Sequence, residues 1–173
     1  SGAPVVTTLM ARGAVPDSHP NNLGMPGMHG TVPAVSALQR ADLIVALGAR
    51  FDDRVIGNPD HFSRVPRKII HIDIDPASIS KTIKADVPIV GPVDSVLSEM
   101  LGILKEIGEK PDPQAVASWW KQIDEWRGDR GLFPYDKGDG SKIKPQTVIE
   151  TLCEVTKGDA FVTSDVGQHQ MFA

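Results

Sequence analysis

Arg50 and Arg54 stand in a turn, Ala49-Arg50-Phe51-Asp52-Asp53-Arg54-Val55-Ile56-Gly57, that follows an apolar run ending at Gly48. Two guanidinium groups so placed can neutralise a diphosphate through charge-assisted hydrogen bonds. Gly48 lets a ligand approach the backbone, because it has no Cβ. Asp73 closes a second apolar run, where an acid accepts hydrogen bonds from ribose hydroxyls. Together these residues suggest a dinucleotide site in distributed form. No G-x-G-x-x-G is present, and ordinary turns with solvated charges are the competing reading. Asp52 and Asp53 are adjacent carboxylates, which point apart in an extended turn, so pairing with Arg50 or Arg54 is expected over metal binding. His29, between Met28 and Gly30, has no carboxylate spaced to orient it as a general base. It reads as a ligand contact or a structural residue. His19, His61 and His71 read as structural or exposed. Gly167-Gln168-His169-Gln170 carries donors suited to phosphate oxygens. Cys153, beside Leu152, reads as a small buried hydrophobe.

The elements that position these groups alternate. Residues 4–9 are β-branched and read as a buried strand. A long Gly/Pro loop follows to Gly30, and loops of that length in a compact domain usually carry function. Thr31 is a helix cap, with Val32, Val35 and Leu38 on one side and an end near Arg40. Residues 42–48 read as a strand covered on both faces. Residues 68–75 and 87–90 read as further strands, ending in carboxylates and at Gly91. Val93, Val96, Leu97, Met100, Leu101 and Leu104 give a helical face. Strands alternating with helices predict an α/β fold with a parallel sheet.

Composition shifts after Gly108. A helix with Val116, Trp119, Trp120, Ile123 and Trp126 follows, its tryptophans read as packing onto a neighbouring domain. Residues 128–142 are polar and glycine-rich, like a linker. Pro145 opens another helix, and residues 160–164 read as the first strand of a new α/β unit.

Among 173 residues there are 18 Lys+Arg against 22 Asp+Glu, a net charge of −4, which argues against binding nucleic acid through a general basic surface. A hydrophobic content of 40% suffices for a packed core. One cysteine excludes an intrachain disulfide scaffold and a multi-cysteine zinc site. No apolar run approaches the roughly 18–20 residues of a membrane span, and no signal segment opens the chain, so a cytoplasmic protein is expected. Gly 16 and Pro 14 are high for such a chain, and they concentrate in the loops that carry the candidate groups.

Taken in order, five strings resemble the acetohydroxyacid synthase (acetolactate synthase) family of thiamine-diphosphate enzymes. They are Pro4-Val5-Val6-Thr7-Thr8-Leu9-Met10, Gly24-Met25-Pro26-Gly27-Met28-His29-Gly30-Thr31, Arg50-Phe51-Asp52-Asp53-Arg54-Val55, His71-Ile72-Asp73-Ile74-Asp75-Pro76 and Val166-Gly167-Gln168-His169-Gln170-Met171. The resemblance is collinear over essentially the whole chain. It implies that residues 1–108 are a central, FAD-binding domain of three-layer α/β type lacking its first βα unit. Residues 109–142 would be a helix and linker, and residues 143–173 the start of the domain that binds thiamine diphosphate. The fold would be incomplete at both ends.

By the same resemblance, Thr8, Leu9, Met10, Met28, His29 and Gly30 would contact FAD. Gly48, Ala49, Arg50, Asp52, Arg54 and Val55 would line its diphosphate and flavin, and Asp73 and Ile74 its adenosine. Val166, Gly167, Gln168 and His169 would touch thiamine diphosphate. Asp53 and Arg54 would face the substrate channel. Pro92 stands where the family usually carries an acid after the glycine matching Gly91. The activating glutamate and the magnesium ligands would lie outside this chain, so no catalytic or metal-binding residue is expected in it. The implied reaction decarboxylates one pyruvate and joins the remainder to pyruvate or 2-ketobutyrate, in branched-chain amino acid biosynthesis. FAD would be structural. A homo-oligomer with a small regulatory subunit is implied, and the chain alone would be inactive. The alternatives are a stand-alone FAD- or ADP-binding module without catalysis, and another thiamine-dependent carboligase or decarboxylase.

Overall fold

The computed structural model describes residues 1–129 and 131–172. It divides into two compact units, Ser1–Leu132 and Phe133–Ala173.

The first unit is built on three parallel strands in the order β1 (Leu43–Leu47), β2 (Lys68–Asp73) and β3 (Val87–Val90). Register runs from Leu43 opposite Lys68 to Leu47 opposite Ile72, and from Ile70 opposite Val87 to Asp73 opposite Val90. The expected parallel α/β sheet is therefore present. α1 (Val32–Arg40) precedes β1, and Thr31 caps it as expected, its side chain accepting from Ala34 N. The short helices α2 (Asp53–Ile56) and α3 (Pro59–Ser63) cross from β1 to β2. α3 starts at Asn58, whose side chain accepts from Asp60 N and His61 N, with Pro59 at its first position. α4 (Val93–Ile107) follows β3 and ends at Gly108, φ +67°.

One face of the sheet carries the core. Ile44, Ala46 and Ile69 pack with Phe51, Ile56, Phe62, Ile83 and Ala85. Arg67 braces this core. Its guanidinium donates to Leu38 O and Gln39 O, both at 2.8 Å, and lies 4.1 Å from the centre of the Phe62 ring. These are carbonyls at the end of α1, which lack helical partners. Burial pushes the Arg67 guanidinium below its ordinary pKa.

The opposite face corrects the expectation of a strand covered on both sides. Leu43, Val45 and Leu47 are exposed, because α4 lies against β2 and leaves that side of β1 open. The stripe on α4 is likewise half covered: Val96 and Leu97 are partly buried, while Leu101 and Leu104 are exposed.

Residues 4–9 are not a strand of this sheet. Val5 N donates to Asn21 O, Leu23 N to Val5 O and Thr7 N to Gly24 O, which leaves one isolated parallel bridge. The β-branched run is extended, as its residue types favour, but its partner is the Gly/Pro loop, too irregular for a longer ladder. A 3-10 turn, Leu9–Ala11, ends it.

α5 (Pro113–Arg127) packs on α1. Ile123 is fully buried against Leu23, Ala34 and Ala37, flanked by Trp119, Trp120 and Trp126. Trp120 Nε1 donates to Gly2 O at 2.8 Å. The tryptophan face thus packs on α1 and closes a second core within this unit.

The second unit holds α6 (Pro145–Thr156) and α7 (Gln168–Phe172). Glu150 accepts from Tyr135 Oη at 2.6 Å and from Lys137 Nζ at 3.4 Å, and this pairing holds its carboxyl below the usual range. Residues 160–164 form no strand; a strand needs a ladder partner, and Phe161 is fully exposed. Cys153 is exposed, not buried. Within its unit α6 meets α7 and the Tyr135 segment, which leave the Cys153 side uncovered.

Candidate functional site at the carboxyl ends of the strands

Ligands of open parallel sheets bind beyond the carboxyl ends of the strands. Here the three ends are tied in line. Gly48 N donates to Ile72 O at 2.8 Å, and Gly91 N to Asp73 O at 3.0 Å. A Cβ on Gly48, φ +60°, would meet no atom within 4 Å, so its backbone faces open space. Asp73 is buried, and one carboxylate oxygen accepts from Asp75 N at 2.9 Å. Ile74, the next residue, is exposed. Pro92 is the N-cap of α4 and makes no side-chain cap bond.

The turn after Gly48 is held by Phe51. Its φ of +53° is unusual for a residue with a Cβ, and such a conformation costs about 1–3 kcal/mol. Burial of the ring offsets it. Phe51 is 5% exposed, 6.2 Å from Phe62 and edge-on to His71 at 5.3 Å. With Phe51 pinned inward, its neighbours Arg50 and Asp52 keep to the outside. Arg50 reaches Asp52 at 3.4 Å with three-quarters of its side chain exposed, a contact worth little and easily exchanged for a phosphate. Asp52 also accepts from Val55 N at 3.1 Å, capping α2. The expected pairing of Asp52 with Arg50 is therefore present. Asp53 and Arg54 are exposed on the first turn of α2, Ala49 and Val55 are partly buried, and Thr82 Oγ1 ties the turn through Arg50 O.

The loop Gly24–Thr31 comes to this turn. Met28 N donates to Arg54 O at 2.9 Å, and Gln39 Nε2 on α1 to Ile56 O at 3.3 Å. Both acceptors are end carbonyls of α2. Met28 and His29 are exposed, and Gly30 is partly buried. Thr31 closes the loop: its N donates to Met25 O, and its hydroxyl to Leu23 O. Thr8, Leu9 and Met10 follow Thr7, whose N is bonded to Gly24 O; Leu9 and Met10 are exposed.

The structure thus joins Met28–Gly30 to the Arg54 turn, and that turn to the ends of β1 and β2. Val166, Gly167, Gln168 and His169 lie in the second unit, with Val166 exposed and Gly167 against the His169 ring. Among the described residues, no group of three or more His, Cys, Asp or Glu is arranged to hold a metal ion. His71 is a buried core residue whose ring nitrogens have no hydrogen-bond partner; His19 and His61 are exposed.

This set suits a flavin dinucleotide. Arg50 and Arg54 supply exposed positive charge, Gly48 open backbone and Asp73 a carboxylate. Leu9, Met10, Met28 and Ile74 supply exposed apolar surface, which a planar ring system can cover.

A family model described as the central domain of thiamine pyrophosphate enzymes matches residues 1–100. The chain belongs to the thiamine pyrophosphate enzyme central-domain family. It is also similar along its whole length to acetolactate synthases. Identity is 53% over 176 residues with the large subunit of Mycobacterium tuberculosis, covering 100% of this chain and 28% of that protein. It is 51% over 170 residues with the isozyme 3 large subunit of Escherichia coli, covering 98% and 29%. The Corynebacterium glutamicum large subunit is 49% identical over 175 residues, covering 100% and 27%. The chain spans less than a third of the length of these relatives. No helix among the described residues is long and apolar enough to cross a membrane.

Gly27, Gln39 and Phe51 also shape the site, through the contacts they make. Gly27 had a visible signal, a glycine after proline in a turn. Gln39 and the positive φ of Phe51 had none, since both follow from tertiary contacts.

Proposed function

We propose that this chain is the central segment of an acetolactate synthase large subunit. The enzyme decarboxylates pyruvate and joins the remainder to a second 2-ketoacid, pyruvate or 2-ketobutyrate, in branched-chain amino acid biosynthesis. The observation that carries the reading is collinear identity of about half the residues with acetolactate synthases from three genera, over 98–100% of the chain.

In this reading Arg50 and Arg54 bind the diphosphate of FAD, and Asp73 and Ile74 its adenosine. Gly48, Ala49, Asp52 and Val55 line the diphosphate and the flavin with the two arginines. Thr8, Leu9, Met10, Met28, His29 and Gly30 pack along the flavin. Asp53 and Arg54 border the channel by which the ketoacid enters. FAD has no redox step to perform here, because the net reaction is neither oxidation nor reduction; it serves as a structural wall. Val166, Gly167, Gln168 and His169 contact thiamine diphosphate, which supplies the electron sink for decarboxylation when bound. Its magnesium ligands and the activating glutamate belong to other parts of the enzyme. The protein works in the cytoplasm as a homo-oligomer with a small regulatory subunit.

The test is product analysis with the full-length chain carrying this segment, given pyruvate, thiamine diphosphate, magnesium and FAD. Acetolactate is expected. Acetaldehyde or an oxidised two-carbon product instead would mark a different thiamine-dependent enzyme. Turnover by residues 1–173 alone would overturn the assignment of the activating group to another segment.

A further inference from the structure

Gly27 brings the backbone of the Gly24–Thr31 loop against the backbone of the Arg54 turn. A Cβ there would lie 2.2 Å from Arg54 O, 3.0 Å from Val55 Cα and 3.1 Å from Arg54 C. All three are backbone atoms and cannot rotate aside as a side chain would. Its φ of +100° adds strain to any replacement. The loop cannot relieve the clash by bending. Gly30 N bonds Gly27 O at 3.0 Å, Thr31 N bonds Met25 O at 2.9 Å, and a Cβ on Gly30 would sit 2.2 Å from Met25 O. The other side is equally fixed, with α2 tied by the Asp52 cap, by Gln39 at Ile56 O and by the buried Ile56.

We propose that Gly27 is a positioning residue for the flavin: its bare Cα lets the Met28–His29 segment seat on the Arg54 backbone, so that both are presented to one ligand. The inference rests on the assignment of FAD to this site. Any side chain at 27 separates Met28 and His29 from Arg54, breaks the bond from Met28 N to Arg54 O, and splits the binding surface in two.

The experiment compares FAD affinity and the visible circular dichroism of bound flavin in the full-length chain, for wild type, Gly27→Ala and Gly57→Ala. Gly57 also has positive φ (+72°), but a Cβ there meets nothing within 4 Å, so it reports backbone strain without the close approach. Gly27→Ala is expected to weaken FAD binding at least about tenfold and to alter the flavin band, since the Met28 and His29 side chains must then be ordered on binding instead of being presented together. Gly57→Ala is expected to stay within about threefold of wild type in FAD affinity, because its strain lowers the stability of the fold and leaves the contact of Met28 with Arg54 in place. Equal weakening in both variants overturns the inference, as does wild-type binding by Gly27→Ala. Failure of the wild type to bind FAD overturns the site assignment itself. If Gly27→Ala does not fold, Gln39→Met decides, because it removes the other strap onto α2 without touching the loop. Weaker FAD binding with an altered flavin band is expected there, and unchanged binding overturns the inference.

Discussion

Replacing Thr31 by valine keeps the shape of the side chain and removes its hydroxyl. That hydroxyl has two roles. It accepts from Ala34 N at 3.2 Å, capping α1, and it donates to Leu23 O, the carbonyl of a fully buried residue. Loss of a cap costs about 1 kcal/mol. A carbonyl left without a partner inside the protein costs about 1–3 kcal/mol. The two together give about 3 kcal/mol of local stability, or roughly a hundredfold faster amide exchange. Hydrogen exchange resolved over residues 24–38 of the full-length chain measures this without requiring two-state unfolding of a multidomain protein. Thr31→Ser, which retains both bonds, should exchange nearly as the wild type does. If Thr31→Val changes exchange by less than about threefold, or if serine fails to restore protection, the hydroxyl does not hold the base of the Gly24–Thr31 loop and the reasoning fails.

Other outcomes follow from the same structure. Arg67→Met removes two charge-assisted bonds to Leu38 O and Gln39 O and the stacking on Phe62. Discounted for partial solvation, the loss is about 2 kcal/mol, read as faster exchange at the end of α1; unchanged exchange there would contradict the brace. Asp86 accepts from Lys68 Nζ at 3.0 Å and Ile69 N at 2.9 Å, and the Lys68 bond first, then the Ile69 bond, holds its carboxyl below the usual range. A lowered folded pKa gives stability that is present above the unfolded pKa and lost as pH falls through the folded one. Wild type should therefore protect residues 68–90 better than Asp86→Asn at neutral pH, with the advantage fading below about pH 4. An advantage that is constant with pH, or that grows in acid, would refute it.

The parts of the fold legible in the sequence are those whose signals are local. Thr31 before Val32, the apolar runs at residues 43–47 and 68–73, and the apolar spacing from Val93 to Leu104 announce a cap, two strands and a helix by residue type alone. The strand-end groups Arg50 and Asp73 could be picked out because the parallel-sheet rule says where to look. What failed depends on partners. Val5 and Val6 have the residue types of a sheet strand, yet their ladder runs to the Asn21–Asn22 segment, and no pattern in either stretch announces that pairing. Residues 160–164 have a strand's composition but no ladder partner. Cys153 and the Leu43 face of β1 are apolar positions that their own units leave uncovered, and sequence reports only that they can be buried. The clamp of Gly27 on Arg54 joins two motifs that each look complete in isolation, so only the folded chain shows them as one surface.

The central claim is that the strand-end surface around Arg50 holds the diphosphate of FAD. Its most direct test is the FAD affinity of the full-length chain, measured for wild type and Arg50→Ala. The account predicts that wild type binds FAD and that the variant loses one charge-assisted phosphate contact, about 1.5–3 kcal/mol, or roughly 10- to 150-fold in affinity. A wild-type chain that does not bind FAD, or an Arg50→Ala chain that binds it equally well, would contradict the account.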